Sequence, residues 1–176
     1  MKRKTPSRKG LQYGATCFLW ATLTINCISV ARDGRLLMIE GGCMCGAVRY
    51  RVPSPMLWAA YCHCTDCQCA AGADYVSWFG VTRGTVDWSG DRGFFRSSPK
   101  VIRSFCKICG TPMTFETEIL PEETHLYAPS LDDRSIYHPT AHVFWPEHVP
   151  WLTLEDDLPK YERGMQSAKL DGSKIV

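Results

Sequence analysis

The sequence predicts a mainly β fold carried by a single domain. Apolar residues recur in short runs rich in aromatic and β-branched side chains, turn-forming residues separate those runs, and no long stretch carries a clean helical period. At 176 residues with 45% hydrophobic content, the chain is long enough for one packed core.

Residues 1–37 stand apart from that pattern. A basic start leads into a mostly apolar stretch, "ATCFLWATLTINCISVA" from Ala15 to Ala31, which imitates a secretory signal with Ser29 and Ala31 as small cleavage-site residues. Thr16, Thr22, Thr24, Asn26 and Ser29 dilute the run and make it too polar for a comfortable membrane span. Two readings stand: a real targeting or anchoring segment, or a mis-assigned extension ahead of a true start at Met38. Cys17 and Cys27 then fall outside the chemistry as ordinary small apolar residues.

The expected domain runs over residues 38–162. In "GAVRYRV", Val48, Tyr50 and Val52 alternate with Arg49 and Arg51, the pattern of a half-buried strand, and Pro53 and Pro55 end it. Further strands are expected over Leu57 to Tyr61, Tyr75 to Val81, Thr85 to Trp88, Val101 to Phe105, Met113 to Thr117, His125 to Ala128 and Ala141 to Phe144, with Gly, Pro, Ser and Asp between them. Residues 163–176 read as a flexible polar tail.

Charge narrows the partners. The formal net charge of +2 divides into +6 over residues 1–37 and −4 over the rest. A nucleic-acid binder keeps its positive charge on the folded part, so no nucleic-acid partner is expected, and no membrane contact unless residues 1–37 are a real anchor.

The chemistry lies in the cysteines, which form three clusters: Cys43-x-Cys45, Cys62-x-Cys64-x-x-Cys67 with Cys69 trailing, and Cys106-x-x-Cys109 followed by Gly110. Thiols one or two residues apart are poor disulfide partners for each other but can point two sulfurs at one metal ion, and Gly110 permits the tight turn of a zinc knuckle. Thiolates are soft ligands that suit tetrahedral Zn²⁺. Two such pairs, Cys43 with Cys45 and Cys106 with Cys109, make a closed four-sulfur site. Five disulfides in a secreted chain, simple buried cysteines and an iron-sulfur cluster are the competing readings. Cys62, Cys64 and Cys67 supply three more sulfurs, the number at which a zinc site keeps an open position, unless Cys69 or His63 fills it. His63 lies between two ligands, so its ring is expected to point away from a metal they hold.

Together "GGCMCGAVRY", "CHCTDC" with Gly72 following, "SSPKVIRSFCKICGTPM", "YAPSLDD" and "HVFWPEHVPWL" resemble the glutathione-dependent formaldehyde-activating enzyme family, whose domain is similar to that of centromere protein V. The resemblance covers Ile39 to Tyr161 and holds in motif order. It implies a zinc-bearing β-tent-like fold of short antiparallel strands and two Zn²⁺ per chain. The structural ion would be held by Cys43, Cys45, Cys106 and Cys109, and the catalytic one by Cys62, Cys64 and Cys67. Arg134, Met113 and the pair Gln68-Cys69 stand where the family often has proline, leucine and a basic residue.

The resemblance further implies a carbon-sulfur lyase or synthase that joins a glutathione-like thiol to formaldehyde as an S-hydroxymethyl adduct. The alternative is a non-catalytic zinc module that binds a thiol or a protein partner. Exposed zinc-thiolate chemistry favours a reducing compartment, so a cytoplasmic protein is expected. Arg103, Lys100, Ser97 and Ser98 precede the last knuckle, where basic residues are ordinarily solvated, though Arg103 is also a candidate for the substrate groove. Asp132 and Asp133 read as turn caps, and Trp145 and Trp151 as core or groove-wall aromatics. No Gly-rich phosphate loop points to a nucleotide.

Overall fold

The computed structural model describes residues 38–53 and 55–170. The expectations for residues 1–37 and 171–176 lie outside the described residues. Ten strands follow in order: β1 (Met38–Gly42), β2 (Arg49–Pro53), β3 (Trp58–Cys62), β4 (Val76–Thr82), β5 (Asp87–Ser89), β6 (Arg92–Ser98), β7 (Val101–Cys106), β8 (Pro112–Thr117), β9 (Glu123–Tyr127) and β10 (His142–Val143). One short helix, α1 (Thr65–Ala71), interrupts them after β3. The mainly β expectation is met.

The strands form two sheets. One is three-stranded in the order β1-β2-β5, and the other is seven-stranded in the order β10-β3-β4-β9-β8-β7-β6. All neighbours are antiparallel except β10 beside β3. The alternation read from the sequence is what closes the sheets on each other: Val48, Tyr50 and Val52 are buried while Arg51 faces solvent and pairs with Glu40. They meet Phe79, Val81, Met113 and Leu126 of the larger sheet in one core. The opposite phase of β4 carries Val76 and Trp78 into a second cluster with Cys62, Cys67 and Tyr127 on the other face of that sheet.

Close packing between the sheets depends on Gly41, which bridges Leu131 and leaves no room for a Cβ against the Tyr50 ring and the Ser130 backbone. Tyr50 Oη and Ser130 Oγ lie 2.8 Å apart beneath it. Asp133 caps a turn as expected, its Oδ1 accepting from Ser135 N at 2.9 Å, while Asp132 pairs with Arg49. After Tyr161 the chain turns back, with a bridge from Tyr161 to Lys169 and a 2.8 Å bond from Leu170 N to Lys160 O.

Three features depart from the sequence reading. Strands β1 and β6 and the helix α1 were not expected. Strand β6 carries consecutive exposed aromatics, Phe94 and Phe95, and so lacks the alternation that marks β2. The helix is seven residues long, too short for a helical period to show, and only Cys67 in it is buried. Trp145 is 4% exposed and belongs to the interior, but Trp151 is 73% exposed and donates from Nε1 to Asp74 at 3.1 Å.

Candidate metal centres and their surroundings

The first centre sits where two hairpins meet. Cys43 and Cys45 lie in the β1–β2 turn, closed by Cys43 N to Val48 O at 2.9 Å and Gly46 N to Cys43 O at 3.1 Å. Cys106 and Cys109 lie in the β7–β8 turn, closed by Cys106 N to Thr111 O and Gly110 N to Cys106 O, both 2.9 Å. Gly110 takes φ +73°, the left-handed conformation that the knuckle needs and glycine adopts freely.

All four sulfurs lie within 4.8 Å of one another. Cys43 Sγ is 3.4 Å from Cys45 Sγ, which is 3.8 Å from Cys106 Sγ. Four thiolates on one Zn²⁺ at about 2.3 Å would stand about 3.8 Å apart, so the cluster has the size such an ion requires. Burial works against the Cys43 thiolate, yet its pKa is lowered, helped by the Val48 N–H that donates to its sulfur at 3.2 Å. Since one hairpin belongs to each sheet, an ion here would tie the two sheets together.

The second cluster is built differently. Cys62 ends β3, Cys64 caps α1 by accepting from Cys67 N at 3.3 Å, and Cys67 sits within the first turns of α1. Cys62, Cys64 and Cys67 converge within 4.8 Å, Cys62 and Cys67 being buried and Cys64 half-buried. No fourth Cys, His, Asp or Glu joins this group among the described residues. Cys69 is exposed on the helix, outside the cluster.

The ring of His63 points elsewhere, as expected, and enters a chain of hydrogen bonds. His63 Nε2 lies 2.9 Å from His142 Nδ1, and His142 Nε2 lies 3.0 Å from both oxygens of Asp156. A carboxylate only accepts, so His142 Nε2 donates to Asp156. Burial, followed by the charges of His142 and His148, lowers the pKa of His63 to about 4 and keeps it neutral. Gln68, where the family often has a basic residue, instead donates to His63 O at 2.6 Å and Glu147 O at 3.0 Å, clipping α1 to the β10 region.

The positive charge at this cluster comes from Arg103. Contrary to the solvated reading, it is 3% exposed on β7, its Nη2 3.8 Å from Cys67 Sγ and its Nε 3.2 Å from Ser97 Oγ. Cys62 and then Cys64 donate toward Cys67 and, with Arg103, hold its pKa down to about 2 against burial; Cys62 itself is raised well above the usual thiol value. The cluster therefore favours a thiolate at Cys67. Arg103, His142 and Asp156 are the residues the sequence reading undervalued or missed. Arg103 shares its strand phase with Val101 and Phe105, a signal of burial, whereas His142 and Asp156 gave none.

A cavity of about 660 Å³ lies between the two clusters. Met44 and Thr111 line its side toward the first centre, while Ala71, Val76 and Tyr127 line its side toward the second. Ser130 and Arg134 add polar groups to its wall. Among the described residues, no helix is long and apolar enough to cross a membrane.

The chain is similar to several known proteins. A protein described as an uncharacterized lyase of Schizosaccharomyces pombe is 30% identical over 78 residues, 43% of this chain and 56% of that protein. The chain thus spans little more than half the length of that relative. A putative glutathione-dependent formaldehyde-activating enzyme of Halomonas elongata is 27% identical over 132 residues, 68% of this chain and 82% of the relative. A Rhodobacter sphaeroides protein of known crystal structure is 21% identical with a TM-score of 0.45, over 52% of this chain and 86% of its own. The family model described as "glutathione-dependent formaldehyde-activating enzyme" matches residues 38–147, a span that holds both cysteine clusters and all ten strands given above, and the chain belongs to that family.

Proposed function

We propose that this protein is a zinc-dependent carbon-sulfur lyase and synthase that interconverts a glutathione-like thiol plus formaldehyde with the S-hydroxymethyl adduct. The observation that carries the reading is the three-thiol cluster of Cys62, Cys64 and Cys67, which lacks a fourth protein ligand and adjoins a cavity large enough for a small peptide thiol. Cys43, Cys45, Cys106 and Cys109 would hold a second, structural Zn²⁺. The boundaries 38–162 for the zinc-binding domain, with residues 1–37 as an extension and 163–176 as a tail, belong to the same proposal.

A Zn²⁺ ion held by three thiolates supplies a Lewis acid that favours a thiol substrate as its thiolate at neutral pH. The protein's own residues do the rest. Arg103 faces Cys67 and balances negative charge that gathers at the cluster. The histidine chain behind Cys62 and Cys64 holds their segment from the far side. Val76 and Tyr127 pack on Cys62 and Cys67 and also line the cavity, so they stand where a substrate would approach the cluster. Cys69 remains an exposed thiol outside both clusters, which suits a reducing compartment, and we assign the protein to the cytoplasm.

Because thiols add to formaldehyde readily without help, the test must measure exchange above background. NMR exchange spectroscopy of glutathione, formaldehyde and their adduct should show faster interconversion with the metal-loaded protein, and lose it with Cys62→Ser/Cys64→Ser/Cys67→Ser. Undiminished exchange in that triple variant would overturn the reading.

A further inference from the structure

We propose that Arg103 and Tyr127 form an oxygen-binding site beside the second cluster, which holds the carbonyl oxygen of the aldehyde and later the hydroxyl oxygen of the adduct. This rests on the thiol-aldehyde reading and deepens it, since the cysteines alone leave that oxygen without a protein donor.

The case begins with an unsatisfied donor. The Arg103 guanidinium is 3% exposed, and its Nη1 has no hydrogen-bond partner among the described residues. Its neighbours hold the rest of the group in place: Nε on Ser97 Oγ, Nη2 toward Cys67 Sγ, and the planar head 4.8 Å from the centre of the Phe115 ring. Burying a guanidinium is expensive unless acceptors meet its donors, and no carboxylate pairs with Arg103 among the described residues. One edge is therefore matched by Cys67, and the other holds a buried N–H without a partner among the described residues.

Tyr127 connects that donor to the cavity. It ends β9, is 6% exposed, packs its ring 4.0 Å from that of Trp78 and lines the cavity wall. Its side chain also interacts with Arg103, and a phenol donates through its O–H. Tyr127 is thus the residue that touches both the cavity and the charged edge of the cluster.

Two donors so placed match the charge that the reaction develops. The substrate sulfur forms a bond to the aldehyde carbon, the π pair of the C=O bond moves to oxygen, and that oxygen takes up the proton the thiol gave up. Thiol and aldehyde combine with no atom or electron lost. The reverse reaction returns the proton to sulfur and the pair to the C=O bond. Donors fixed in place before reaction stabilise the growing negative charge on oxygen more than the neutral carbonyl, which is the condition for catalysis.

The experiment compares metal-loaded wild type with Tyr127→Phe and Arg103→Lys. Exchange spectroscopy should show kcat lowered about 100-fold in Tyr127→Phe, with the KM for glutathione little changed. Calorimetry with the S-formyl and S-methyl derivatives of glutathione, which differ by a carbonyl oxygen, gives a readout independent of turnover. Wild type should bind the S-formyl derivative at least about tenfold more tightly, and both variants should lose that preference while binding the S-methyl derivative as before. Metal content and melting temperature confirm that each variant is folded, with Arg103→Lys serving if Tyr127→Phe is not. Full kcat and an intact S-formyl preference in the folded variants, beside an active wild type, would overturn the oxygen site alone. A wild type that neither accelerates exchange nor binds either derivative would overturn the underlying reading as well.

Discussion

His63 and His142, 79 residues apart, share a 2.9 Å hydrogen bond between Nε2 and Nδ1 with both rings buried. The bond ties the peptide between two candidate ligands, Cys62 and Cys64, to β10, and Asp156 anchors the far end. Asp156→Ala should therefore lower the stability by about 1 kcal/mol and weaken metal binding at the second cluster, leaving the first unchanged. Asp156→Asn, which retains an accepting oxygen, should do less. Metal competition with a chromophoric chelator checks both, and equal behaviour of Ala and Asn would count against the chain.

The first cluster joins hairpins of different sheets, so its loss should be felt by the whole fold. Cys106→Ser or Cys43→Ser should abolish cooperative unfolding, because structural metal binding supplies folding free energy directly. Calorimetric melting is the measurement. A Cys106→Ser protein that melts cooperatively near the wild-type temperature would remove the structural assignment.

Two metal centres of unequal closure should release metal unequally. Purified protein should hold two Zn²⁺ per chain. Titration with a chelator should remove the ion at Cys62, Cys64 and Cys67 first, since three ligands leave that site open to exchange while four close the other. Elemental analysis at each step gives the count; one ion lost in a single unfolding step is the contrary result.

Cys67 and Cys69 lie two residues apart, yet the structure places only Cys67 in the cluster. Cys67→Ser should abolish thiol-aldehyde exchange while sparing the melt, and Cys69→Ser should leave exchange within about twofold of wild type, as expected for an exposed side chain. The reverse pattern would show that the ligand set is wrong.

Much of this molecule was legible in local spacing. The C-x-C and C-x-x-C pairs, Gly110 in its left-handed knuckle and the alternation of Val48, Tyr50 and Val52 are governed by geometry over two to four residues, which a sequence displays directly. The helix α1 was hidden because seven residues cannot show a period, and β6 because Phe94 and Phe95 interrupt its alternation. Long-range register decided the remainder. The pairing of β7 with β6 and β8 carries Arg103 inward to Cys67, and the parallel pairing of β10 with β3 sets His142 opposite Tyr61, within reach of His63. A buried cation and a histidine chain depend on partners 36 and 79 residues distant. The sequence alone therefore determined which cysteines pair at metal-ligand spacing, and the tertiary structure decided that Cys69 stays outside the second cluster and which charges and proton donors surround it.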